Sequence, residues 1–163
     1  MNLPVTEQAE AAFNKLKQNK AVATEVTPWW IVLEVKGESV DVAHQWPAPG
    51  AEKPSVTPEN WKTTVWDEVV NHVTSNYAKG ACFVVTEVCW TNSEGNFMSQ
   101  PIFFKWCPDS GVPVKTKMMI GSAFQPTKRK LDVQGTTPEL SLASQLEVNK
   151  FAAEAKLKGW VNQ

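Results

Sequence analysis

Histidine, tyrosine and cysteine are scarce in this 163-residue chain, which holds two, one and three of them. His44 and His72 fall in different segments, and neither has a cysteine or carboxylate at metal-ligand spacing, so no metal site is expected. Cys82, Cys89 and Cys107 are odd in number and form no CxxC pair, which argues against a disulfide framework and for reduced thiols in apolar surroundings. No GxGxxG or GxxxxGK[ST] motif occurs, so neither dinucleotide nor P-loop nucleotide binding is expected, nor any cofactor. Cys107 follows Trp106 in an apolar run with no histidine nearby in sequence, which leaves no catalytic residue to name. Charge of one sign is missing too: 16 basic residues against 17 acidic ones leave no chain-wide field to draw in nucleic acid or an anionic membrane. The opening MNLPVTEQAE lacks a basic start and an apolar run, and the most apolar stretch, WWIVLEV, is interrupted by Glu34. A soluble, intracellular protein without membrane insertion is therefore expected.

What is present suits one globular domain over residues 1–163: 42% hydrophobic and 20% charged residues in a chain long enough to bury a core. The eight tryptophans show no repeat and read as core or half-buried sheet residues. Apolar residues at Ala9, Ala12, Phe13 and Leu16 predict a helix from Thr6 to about Gln18, with Thr6 able to cap it. Trp29 to Val35 and Ser39 to Gln45, separated by Lys36-Gly37-Glu38, predict a hairpin. On its second strand His44 shares the face of Val40 and Val42, which suggests a structural histidine. Five breakers between Trp46 and Pro58 mark a proline-rich surface loop. Trp61, Val65, Trp66, Val69, Val70 and Val73 then give a helical stripe over Glu59 to about Ser75. Cys82 to Trp90 and Pro101 to Cys107 are near-continuously apolar, as strands covered on both faces are, with a polar linker Thr91 to Gln100. Helical patterns follow at Val112 to Phe124, after a break at Gln125-Pro126 in the basic turn Thr127 to Leu131, and in a final helix within 138–158. The expected fold is α/β, a mixed central sheet flanked by helices on both faces.

Gly111 to Leu131 concentrates positive charge: Lys115, Lys117, Lys128, Arg129 and Lys130 occur there without an acid before Asp132. If Val112 to Phe124 is helical, Val114 and Met118 lie four apart, and Lys115, Met119 and Ser122 form a second line. A flexible thioether beside ammonium groups suits docking to an acidic, grooved protein, although both methionines could instead be core.

The segment PIFFKWCPDSGVPVKTKMMIGSAFQPTKRKL resembles the signature of the actin-depolymerising factor/cofilin family. Its marks are an apolar strand ending in Trp-x-Pro-Asp, a Lys-x-Lys-Met opening a helix, and a basic turn ending in leucine. Weaker similarity runs back through FNKLKQNK (Phe13 to Lys20), WWIVLEV and the strand ending at Trp90. The resemblance implies a single ADF-homology domain, monomeric, cytoplasmic and cytoskeleton-associated, that binds actin monomers, preferably ADP-bound, and promotes filament turnover. By position it implies monomer contacts at Lys115, Lys117, Met118 and Ser122 and along the arm Leu3, Pro4, Val5 and Thr6. Filament contact is implied near Glu94 and at Glu147 and Lys150, and is expected to be weak, because Thr91 to Gln100 contains no basic residue. The family's regulatory serine aligns with Leu3, so that modification is expected to be missing, with Thr6 a remote substitute. Pro126 is expected to start a short second helix at a kink. Two alternatives stay open: a glia-maturation-factor-like regulator of the branch-nucleating actin-related-protein complex, or a phosphoinositide-binding surface module using Lys115, Lys117, Lys128, Arg129 and Lys130.

Overall fold

The computed structural model describes residues 3–18 and 26–163; Met1, Asn2 and Lys20, the end of the FNKLKQNK match, lie outside them. Helix α1 spans Glu7–Leu16, and β1 (Trp30–Lys36) and β2 (Ser39–Trp46) form the expected hairpin, turning at Gly37 with φ 62. A π-helical turn Lys62–Trp66 leads into α2 (Asp67–Asn76), followed by β3 (Cys82–Thr91) and β4 (Phe97–Trp106). Helix α3 covers Val114–Leu131, and β5 (Glu139–Leu140), a 3-10 turn Ala143–Leu146 and α4 (Val148–Glu154) complete the described elements.

The sheet order is β2-β1-β3-β4-β5, antiparallel throughout except for β5, which runs parallel to β4. Alternation along the strands divides the core between two layers. Ile31, Leu33, Phe83, Val85 and Phe103 face α1 and α3, whereas Trp30, Val32, Val84, Ile102, Phe104 and Trp106 face α2 and α4. Strand β3 is buried on both faces apart from Glu87 and Thr91, as its continuous hydrophobicity implied.

The tryptophans collect in the second layer, five buried and three partly buried. Three indole N–H groups donate to backbone carbonyls there: Trp61 to Glu87, Trp66 to Leu146 and Trp106 to Tyr77. The π turn explains how residues five apart can share that core. In an α-helix Trp61 and Trp66 would diverge; one wider turn aligns them, with rings 6.0 Å apart.

Four expectations change. Strand β4 begins at Phe97 rather than Pro101, because it continues pairing with Trp90 and Thr91, and the connection shrinks to Asn92–Asn96. Pro101 is tolerated because β4 has a second neighbour only at Lys105 and Trp106. The helix over Val112 to Phe124 does not stop at Gln125-Pro126: α3 runs unbroken with Pro126 inside it. The final helix is only α4, since Leu142 and Glu147 are extended and Leu140 pairs with β4. Finally, a bulge leaves Ala43 unpaired between Val42 and His44, which turns His44 off the face of Val40 and Val42 and onto Trp30.

Candidate functional site

Helix α3 opens at Pro113, whose carbonyl accepts the Lys117 N–H, and closes at Asp132 in the left-handed region. There the Asp132 N–H reaches the Arg129 carbonyl at 3.1 Å and the Val133 N–H the Lys128 carbonyl at 3.3 Å. This closure usually recruits glycine at the left-handed position. Ile120, Ala123, Phe124, Thr127 and Leu131 are buried, and the Phe124 ring stacks on Phe83 at 5.9 Å and on Phe103 at 5.5 Å. That spacing fixes the rotation of the helix. Its opposite face therefore carries Val114, Met118, Ser122, Gln125 and Arg129, all exposed. Val114 is 73% and Met118 67% exposed, the most exposed large hydrophobic residues of the described chain.

The charges of α3 are arranged against its own stability at one end only. Lys128, Arg129 and Lys130 in the last turn suit the negative end of the helix dipole. The first turn holds no acid and bears Lys115, with Lys117 just beyond it, cations at the positive end, each costing about 0.3–1 kcal/mol there. Lys115 has no partner among the described residues that offsets this. Cations at the wrong helix end beside two exposed apolar side chains depart from the local rules of helix design, as residues at functional sites often do.

The two lysines named together by sequence part company. Two residues along a helix turn the side chain through about 200°. Lys115 stays beside Met118 and Ser122, while Lys117 is half-buried at the flank and donates to the Asp109 carbonyl at 2.5 Å. Gln125 and Arg129 extend the face on either side of Pro126; continuing the i+4, i+7, i+11 pattern from Met118 through the proline would have found them.

The arm Leu3–Thr6 is held against β2. Val5 forms a parallel bridge to Val40, whose N–H donates to the Pro4 carbonyl and whose carbonyl accepts the Thr6 N–H. Leu3 is 3% exposed and belongs to the core with α1 and α3, so its side chain packs inward, and Pro4 is the exposed residue of the arm. The Thr6 hydroxyl is engaged twice, donating to Asp41 Oδ1 at 2.6 Å and accepting the Ala9 N–H at 3.2 Å.

Glu94 sits at the hairpin tip, its N–H donating to Asn92. Glu147 caps α4 by accepting the Lys150 N–H at 2.9 Å, a bond that holds its carboxyl below the usual range, and Lys150 is exposed. Contacts link the two regions: Asn149 accepts the Trp160 indole N–H at 3.0 Å, and the Trp160 ring packs on Trp90 at the hairpin root. The five basic residues do not form one cluster. In the unbroken helix Lys115 and Lys130 lie about 22 Å apart along the axis. Lys130 pairs with Glu10 at 3.3 Å, and Lys128 donates to the Gly135 carbonyl.

A concavity of about 530 Å³ lies between the end of α1 and the proline-rich loop, lined by Lys17, Trp29, Val56, Glu87, Cys89 and Phe97 among others. Its thiol has no histidine in the lining, so no nucleophile–base pair forms there. Among the described residues no group of three or more His, Cys, Asp or Glu could hold a metal ion, and no helix is long and apolar enough to cross a membrane.

The family profile described as cofilin/tropomyosin-type actin-binding protein matches residues 2–158. Among solved structures, the chain is similar to actin depolymerization factor 2 of Plasmodium berghei, at 16% identity over 95% of this chain and 97% of that one, with a TM-score of 0.69. It is similar to the ADF-like UNC-60A protein of Caenorhabditis elegans, at 19% identity over 96% of each chain and a TM-score of 0.70. An actin depolymerizing factor of Toxoplasma gondii is 25% identical over 88% of this chain and 93% of that one, with a TM-score of 0.55. A search of curated protein sequences returned no match.

Proposed function

The chain belongs to the ADF/cofilin family of actin-binding proteins, and on that footing we propose that it binds monomeric, preferably ADP-bound, actin through the exposed face of α3. The observation that carries this reading is the company Lys115 keeps: a cation at the positive end of a helix with no partner among the described residues, beside Val114 and Met118 in solvent. Desolvating those two side chains supplies affinity, and Lys115 and Arg129 orient the approach to an acidic surface. The N-terminal arm offers Pro4 and its backbone as a second contact. Filament binding and severing are weak in this reading, because the hairpin tip Asn92–Asn96 presents Glu94 and no cation.

The deciding experiment pairs binding to ADP-actin monomers with filament cosedimentation, for the wild type and for Lys115→Glu/Met118→Ala. The wild type should bind monomers, with little of it pelleting with filaments. The double variant should bind monomers at least about tenfold more weakly, a loss of about 1.4 kcal/mol, with an unfolding midpoint no lower than the wild type's, since an acid then replaces a cation at the positive end of α3. Wild-type affinity in that variant would move the interface off α3, and a wild type that binds neither actin form would remove the reading.

A further inference from the structure

The contact between β2 and α2 holds the chain's two histidines face to face. Their rings stack at 4.2 Å with 22° between planes, and Trp30 packs against His44 at 5.3 Å and His72 at 5.2 Å. The bulge at Ala43 puts His44 there; regular alternation would have pointed it to the other layer. Trp46 stacks on Trp30 at 6.4 Å, and Tyr77 lies 6.1 Å from His72.

Little in this nest can absorb added positive charge. The acid facing it is Glu34 on β1, already accepting the Tyr77 hydroxyl at 2.7 Å. From α2 comes the Asn76 amide, 3.4 Å from His72 Nδ1 while also donating to the His72 carbonyl. From β3 comes the buried Cys82 thiol, whose pKa burial and Glu34 push up. We propose that His44 and His72 form an acid-sensitive clasp between β2 and α2, closed while both rings are neutral and loosened when they take up protons. Because Val40 of β2 holds Pro4 and Thr6, loosening reaches the N-terminal arm.

Burial holds both rings below the ordinary histidine range, and the charge of His44 lowers His72 further against the pull of Glu34. A base depressed in the folded state is protonated more readily in the unfolded one. The stability it confers is therefore complete above the unfolded histidine pKa, about 6.5, and falls as pH drops through and below it.

Ring-proton NMR on the full chain tests this, since two histidines account for all the imidazole signals. Both midpoints should lie below that of free histidine, and His44→Gln should move the His72 midpoint upward. The thermal midpoint should fall between about pH 7.5 and 5.5, where histidine titrates, and His44→Gln/His72→Gln should remove roughly half or more of that fall. A His72 midpoint unmoved by His44→Gln, or midpoints at the free-histidine value, would overturn the proposal. So would an unchanged pH slope in the double variant; if that variant does not fold, the wild-type and single-variant titrations decide.

Discussion

The Thr6 hydroxyl serves two elements at once. It caps α1 by accepting the Ala9 N–H, and its own proton goes to Asp41 on β2. That bond, more than the Val42 N–H, holds the Asp41 carboxyl below the usual carboxylate range, so this contribution to stability is present above the ordinary carboxylate pKa and is lost as pH falls through the depressed one. Thr6→Val keeps the shape and removes both bonds. We expect a loss of about 1–2 kcal/mol, a few degrees in thermal midpoint, and a shallower acid limb, all read from unfolding curves at neutral and acid pH. The cap was legible in sequence because it is local; Asp41, 35 residues away, was not. Lys115 and Lys117 make the same point. Residue type and spacing recommend both equally, and only the rotation of α3, set by Phe124 against the sheet, leaves one of them free and ties the other to Asp109.

At the scale of elements, Pro126 departs most from local rules. It cannot donate to the Ser122 carbonyl and its ring crowds that turn, yet α3 continues because Phe124 before it and Leu131 after it are held in the core layer against the sheet. Pro126→Ala restores the donor and should stabilise the fold by about 1–3 kcal/mol, raising the unfolding midpoint without altering the exposed face. A lower midpoint would mean that packing of the half-buried ring outweighs the missing bond. Proline chemistry read from sequence therefore placed a break where tertiary anchoring overrides it. Strand β5 was illegible for the opposite reason. Two residues carry no period, and Leu140 becomes a strand residue only because β4 lies beside it. The long strands and α1 were legible because their apolar spacing repeats over several turns or pleats.

Across the whole molecule, two apolar layers on one sheet protect different groups to different degrees. Cys82 and Cys89 are buried, and burial raises the Cys82 thiol well above its ordinary pKa, whereas Cys107 is half-exposed. A thiol reagent applied to the native protein should label Cys107 at once and the other two only as the core opens, so one fast and two slow equivalents are expected. Three fast equivalents would mean that the Trp-rich layer opens far more readily than its packing implies.

The way the sheet stops on each side has a consequence for crowding. A domain crowded among copies of itself risks pairing strand to strand with its neighbours, because an open sheet margin is a template for more sheet. Here one margin, β2, has the Val40 N–H and carbonyl taken by the arm through Pro4 and Thr6. The other margin, β5, is two residues long, and its Glu139 carries a charge paired to Lys105 at 2.9 Å. Beyond β5 the margin passes to β4, whose run from Phe97 to Phe104 has no second neighbour and is interrupted by Pro101, a residue with no N–H to offer, so sheets of adjacent copies have only short stretches on which to fuse.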